Sequence, residues 1–200
     1  MPYTRAARPN VALDLANLFV ADLGAPALAV VDRYVASVAM GNKTYTLANA
    51  GLPGDGLARN VTLKRTVVAA GADTPGKITI TGLDIDGRPI TEDIIPGADG
   101  VTVQGLFAFK SIDAPVGSGW VIAGGADTIE IGFGTKVGLP ASIRQSPPVL
   151  ATTQIPFALL GGVNVTPVVT YDAAIIAKCT VDASSGTYDG TKRLLAFVLR

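Results

Sequence analysis

From Leu57 onward the chain is built of short runs rich in Val, Ile, Thr and Phe: NVTLKRTVVA, KITITGLDI, PITEDII, VTVQGLFAF, DTIEIGFG, VNVTPVV, AAIIAKCTV and RLLAFVL. Each has the length and composition of a β-strand. Glycine, proline, aspartate and asparagine separate the runs and mark turns and bulges. No helical period of ten or more residues intervenes. The pattern predicts an all-β fold, with an antiparallel sandwich, jelly-roll or barrel-like body and an extended N-terminal arm.

The front of the chain has a different texture. Residues 1–56 read as an arm and front segment and residues 57–200 as a β-rich body, together one compact domain. VALDLANLFVADLG fits either a short helix using Leu15, Leu18 and Phe19 or an extended segment. VVDRYVASVAM and KTYTLAN read as strands, and AGLPGDGLA as the loop that joins them to the body. Residues 1–10, with Pro2, Arg5, Arg8 and Pro9, carry no hydrophobic pattern and read as an arm. GLPASIRQSPPVLATTQIP, residues 138–156, holds four prolines that oppose a helix, and reads as a long surface crossing. AAIIAKCTVDA and KRLLAFVLR, joined by SSGTYDG, read as a closing hairpin.

Composition then narrows the functions. Hydrophobic residues make up 48% of the 200 and charged residues 16%, which excludes a disordered tail. No apolar run reaches the ~20 residues of a membrane helix, so a soluble chain without membrane contact is expected. Sixteen basic and sixteen acidic residues cancel, which removes the attraction that direct nucleic-acid binding depends on. Histidine is absent, which excludes Ser-His-Asp and Cys-His relays and His-containing zinc sites. The one cysteine, Cys179, reads as a small buried hydrophobe. The first residues show no secretory signal, so synthesis in the cytoplasm is expected, and the N-x-T patterns at Asn42, Asn60 and Asn164 read as chance.

The candidate chemistry is sparse. Asp84, Asp86, Glu92 and Asp93 crowd the stretch DIDGRPITEDII, but Gly87 comes too early for a calcium loop, and Asp86-Gly87 suits a two-residue type I′ hairpin turn. GFGTKVG, residues 132–138, lacks both the G-x-G-x-x-G spacing and the G-K-[ST] ending of a phosphate cradle, and its glycines fit a bulge or a close backbone approach. A paired-carboxylate glycan hydrolase needs no histidine, but the two glutamates, Glu92 and Glu130, alternate with strand residues that face inward and so read as solvent-facing. Aromatic residues are too scattered for a carbohydrate-binding row. Trp120 fits a core position or an interface equally.

The block ARNVTLKRTVVAAGADTPGKITITGLDIDGRPITEDIIP, with VTVQGLFAFKSI and DTIEIGFGTKVGLP after it, resembles small β-rich virion proteins encoded among the head genes of tailed bacteriophages. The similarity covers residues 57–140 and extends to the final GTYDGTKRLLAFVLR. It implies a non-enzymatic capsid decoration or cement protein in the virion, with the major capsid protein or other virion subunits as partners. A homo-oligomer, by preference a trimer, is implied with it. A neck, collar or tail component is the alternative position. No catalytic, cofactor-binding or metal-binding residue is expected. The residues expected at partner contacts are Arg5, Arg8, Trp120, Arg144, Pro147 and Pro148, the two arm arginines by charge-assisted hydrogen bonds to carboxylates.

Overall fold

The computed structural model describes residues 18–68, 73–74, 76–122, 127–140, 157–172 and 174–199. Among them the fold is nearly all β, without an α-helix, as the alternating pattern predicts. Sheet I joins β1 (Leu18–Asp22), β14 (Leu194–Leu199), β10 (Phe157–Leu160) and β11 (Val163–Val165) in that order. Sheet II runs β12 (Val168–Thr170), β13 (Thr180–Asp182), β9 (Thr128–Gly138), β3 (Arg59–Thr66) and β6 (Thr102–Phe109), and β2 (Val30–Ala39) also pairs with β9. Sheet III is built on β4 (Lys77–Leu83), flanked by β5 (Pro89–Ile94), β7 (Ser111–Ile112) and β8 (Val116–Ser118). Among the described residues every strand pairing is antiparallel.

Two apolar cores share β9. Ile129, Ile131 and Phe133 from its first half pack with Val61, Leu63, Ile78, Ile80 and Tyr34 between sheets II and III. Val137 from its end, followed by Leu139, packs with Leu160, Val181, Leu194 and Val198 between sheets I and II. Both glycines of Gly132-Phe133-Gly134 are forced by close approach: a Cβ on Gly132 would sit 1.9 Å from the Val30 carbonyl, and one on Gly134 would sit 2.7 Å from the Asn60 amide.

Several sequence expectations change in detail. The Asp86-Gly87 turn is not a two-residue loop. Gly87 N donates to Asp84 O (3.1 Å) and Asp84 N to Arg88 O (2.9 Å), so three residues lie between the closing pair and Gly87 takes the left-handed position (φ +77°). VNVTPVV is two strands in different sheets, because Pro167 has no N–H to offer a ladder and the chain passes there from sheet I to sheet II. KTYTLAN makes a single bridge, Thr44 to Val116, and the end of AAIIAK is a 3-10 turn over Ile176–Lys178. The expected closing hairpin does not form: β13 pairs with β9 and β12, and β14 with β1 and β10. The link between them is too long for a hairpin loop and is anchored by buried Tyr188, whose hydroxyl accepts from Ala183 N at 2.7 Å. In the front segment, β1 and β2 are woven into sheets I and II.

At the junction of the two cores sits Arg59, fully buried. Its Nη1 pairs with Asp55 Oδ2 at 2.5 Å, and its Nη2 donates to Gly134 O (2.5 Å) and Ala27 O (3.2 Å). The guanidinium lies 4.8 Å from the Phe133 ring of one core and 5.6 Å from the Tyr188 ring of the other. Burial lowers the Arg59 pKa and the Asp55 charge opposes that shift. Removing one member of such a pair leaves a charge without compensation. Asp55→Ala is therefore expected to cost about 3–5 kcal/mol in urea unfolding. The double variant Asp55→Ala with Arg59→Met should cost less than the two single changes added. A cost for Asp55→Ala below about 1 kcal/mol would remove the pair from its central place.

Candidate functional site

The carboxylates offered by the sequence are each committed to structure. Asp84, buried at 2% exposure, accepts from Asp86 N (2.8 Å) and Arg88 N (3.0 Å) through Oδ1 and so caps its own turn. Asp93 pairs with Lys77 Nζ and accepts from Thr79 Oγ1, both at 2.6 Å. Glu130 lies opposite Lys64 in the β3–β9 ladder and pairs with its Nζ at 3.0 Å. Asp127 accepts from Val68 N at 2.9 Å.

Glu92 departs from the expectation of a solvent-facing strand residue. In the β3–β6 ladder, Asn60 faces Ala108 and Thr62 faces Gln104, so residues 105–107 bulge out opposite Val61. Glu92 reaches across from β5 and accepts from Leu106 N (2.6 Å) and Phe107 N (3.2 Å), the donors that the bulge turns away from the ladder. Asn60, fully buried, holds the other side: its Nδ2 donates to Gln104 Oε1 (3.2 Å) and Gly105 O (3.4 Å), and its Oδ1 accepts from Lys136 N (3.0 Å). Burial pushes the Glu92 carboxyl above the usual range and outweighs the two backbone donors and the nearby charges of Lys136 and Lys178. This carboxylate fastens a bulge, and the spacing of TEDII carries no sign of that, because the partner donors come from another sheet.

A cleft of about 360 Å³ lies between Asp22, Leu57, Ile85, Lys110, Pro140 and Arg193. Its polar groups are spent on one another and on the backbone: Arg193 pairs with Asp22, and Lys110 Nζ donates to Gly56 O. Trp120 is in the core, 5% exposed, with its N donating to Asn42 Oδ1 (2.9 Å) and its O accepting from Asn42 Nδ2 (3.2 Å). Cys179 is buried at 2% exposure, as expected. Arg5, Arg8, Arg144, Pro147 and Pro148 lie outside the described residues, as does most of the 138–156 crossing.

The topology gathers a surface that single strands do not announce. Three links join sheets II and III at the same end of the molecule, and their described residues are 67–68, 73–74 and 76, then 95–101, then 119–122 and 127. Val67 N donates to Asp99 Oδ1 (2.8 Å), Val68 N to Asp127 Oδ1 (2.9 Å) and Gly100 N to Arg65 O (2.8 Å), and Thr74 bridges Val121. Around these ties Val68, Ile95, Val101 and Val121 stand 65%, 63%, 49% and 57% exposed. Ile95 also borders a shallow hollow of about 290 Å³ with Gly76, Lys77, Ser118 and Gly119. A signal in the sequence marks this end: each link contains Gly-Ala-Asp, and VVAAGADT at 67–74 matches VIAGGADT at 121–128 in six of eight positions. Two of those aspartates, Asp99 and Asp127, make the cross-link ties.

No protein-family model, curated protein or solved structure matches this chain.

Two pH effects of opposite sign follow. Asp22 and Asp93 are held below the usual carboxylate range, chiefly by hydrogen bonds from Arg193 and Lys77. Their contribution is present above the unfolded aspartate pKa of about 3.9 and is lost as pH falls through the lowered values. Glu92, held high, contributes stability fully present below the unfolded glutamate pKa and lost as pH rises through the raised value. Wild-type protein is therefore expected to lose Tm relative to a Glu92→Gln variant as pH rises through that value; a constant difference would show that Glu92 does not titrate abnormally. Glu92→Ala, which strips both bulge donors of their acceptor, is expected to cost about 1–3 kcal/mol in urea unfolding.

Proposed function

We propose that this chain is a non-enzymatic structural protein of a bacteriophage particle, of the capsid-decoration type, that works by joining major capsid subunits as a homo-oligomer. One observation carries the assembly part of the reading. Four branched aliphatic side chains stand exposed together at one end of the molecule, on links cross-tied by hydrogen bonds. Exposed apolar surface gathered in one place gains about 25 cal/mol per Å² when a partner covers it, and a cross-tied platform limits the ordering cost of binding. The sequence texture of residues 57–140 supports the phage assignment, and with it a location in the virion after synthesis in the host cytoplasm. A chain whose carboxylates cap turns, fasten a bulge and pair with lysines is also in keeping with a scaffold role.

The test is a particle-binding measurement with a charged platform. Ile95→Lys combined with Val121→Lys should weaken binding to assembled capsids by about tenfold or more. Both positions are exposed, so Tm should move by less than about 3 °C. Unchanged capsid binding by the double variant would exclude this end as the contact, and absence of any binding by the wild-type chain would exclude the capsid role.

A further inference from the structure

Two kinds of sheet edge coexist in this molecule. The β6 edge of sheet II is guarded: Glu92 occupies its Leu106 and Phe107 N–H groups, and Lys178 stands 5.8 Å from the Phe107 ring. β5, at the edge of sheet III, carries Glu92 and Asp93. Charges and bulges of this kind prevent another strand from adding to an edge. Sheet I differs. Its outer strand β11 reads Val-Asn-Val, no charged residue occurs from Phe157 to Tyr171, and Val163 is 68% exposed. Among the described residues β11 pairs only with β10. At the opposite edge β1, among the described residues, pairs only with β14, exposes Val20 (47%), and has its one charge, Asp22, drawn to Arg193.

The two edges of sheet I match in direction. β1 is antiparallel to β14, β14 to β10, and β10 to β11, so β1 and β11 run in opposite senses. A second copy that places its β11 beside β1 therefore continues the antiparallel alternation of sheet I without reversing either chain. The backbone of β11 is set up for it. Gly161 (φ +58°) and Gly162 (φ +83°) form a two-residue turn of the type I′ class. Such a turn closes on a hydrogen-bonded pair, Leu160 with Val163, so the peptide groups of the next residue, Asn164, face away from β10.

We propose that copies of this chain associate head to tail, β11 of one against β1 of the next, so that sheet I runs on from subunit to subunit. The two edges are different surfaces, so the contact is heterologous, and a closed assembly built on it is a ring, of which a trimer is the smallest beyond a pair. This deepens the homo-oligomeric part of the proposed function and is independent of which particle the protein joins.

The experiment measures the mass of the full-length chain by light scattering at micromolar concentration. Wild type is expected to be oligomeric. Asn164→Pro removes the outward N–H at an edge position where proline is tolerated, and should give a monomer with unchanged β circular dichroism. Val163→Lys, which charges the same edge, should do likewise and covers the case in which the proline variant misfolds. A short bismaleimide should join Val20→Cys copies to Val163→Cys copies in a mixture, while neither variant alone cross-links to itself. A monomeric wild type would overturn both the contact and the homo-oligomer. An oligomeric wild type whose Val163→Lys variant stays assembled, or a Val20→Cys variant that cross-links to itself, would overturn the contact alone.

Discussion

A buried guanidinium holds the two halves of this molecule together. Arg59 has no access to solvent, and its charge is answered by Asp55 at 2.5 Å, two backbone carbonyls and two aromatic faces. Desolvating such a group is expensive, and these partners offset that cost at its two terminal nitrogens, while Nε makes no hydrogen bond. The partners come to β3 from four separate stretches: the segment at Ala27, the Asp55 loop, strand β9 at Phe133 and Gly134, and the Tyr188 link. Fixing one side chain therefore ties these stretches to β3 where the two cores meet. Asp55 extends the constraint, accepting from Ala27 N at 3.1 Å and Leu57 N at 3.0 Å, which ties down the loop that the front segment follows into the body.

Asn60 and Glu92 are committed in the same way. Asn60, next in sequence to Arg59, serves both irregularities of its strand, facing Gln104 and Gly105 on one side and Lys136 N on the other. Gly134 has no side chain because Asn60 occupies that space. Glu92 closes the outer side of the bulge. Polar residues buried in an all-β protein have to satisfy backbone groups that bulges leave unpaired, since each such group costs free energy comparable to a lost hydrogen bond. That requirement accounts for side chains that in isolation resemble catalytic acids.

Guarded and unguarded surfaces divide accordingly. Where β5 and β6 meet, charge and bulge block further strand addition. The β11 edge of sheet I carries no charged residue, and it and the Val68, Ile95, Val101 and Val121 end are the surfaces on which the proposed assembly role rests. The two are built differently, one from backbone edges and the other from side chains on cross-tied links.

The sequence by itself determined the all-β class, because alternation and strand composition act locally, and it determined most strands from β3 to β6, where regular two-residue periodicity runs between clear turn signals. It also determined the burial of Cys179, set by the apolar residues around it. Tertiary structure alone decided which strands share a sheet. RLLAFVL and KCTVD both read as strands, yet Tyr188 and the length of its link send them to different sheets, a distinction that depends on distant partners for each edge. It decided the role of Glu92, whose two donors lie 14 and 15 residues away along the chain and on another sheet. It decided that Trp120 belongs to the core, where Asn42, 78 residues earlier, fixes its backbone. And it decided that the three links between sheets II and III are tied to one another at one end, through Asp99, Asp127 and the Thr74–Val121 bridge, since only the strand pairing brings those distant residues within reach.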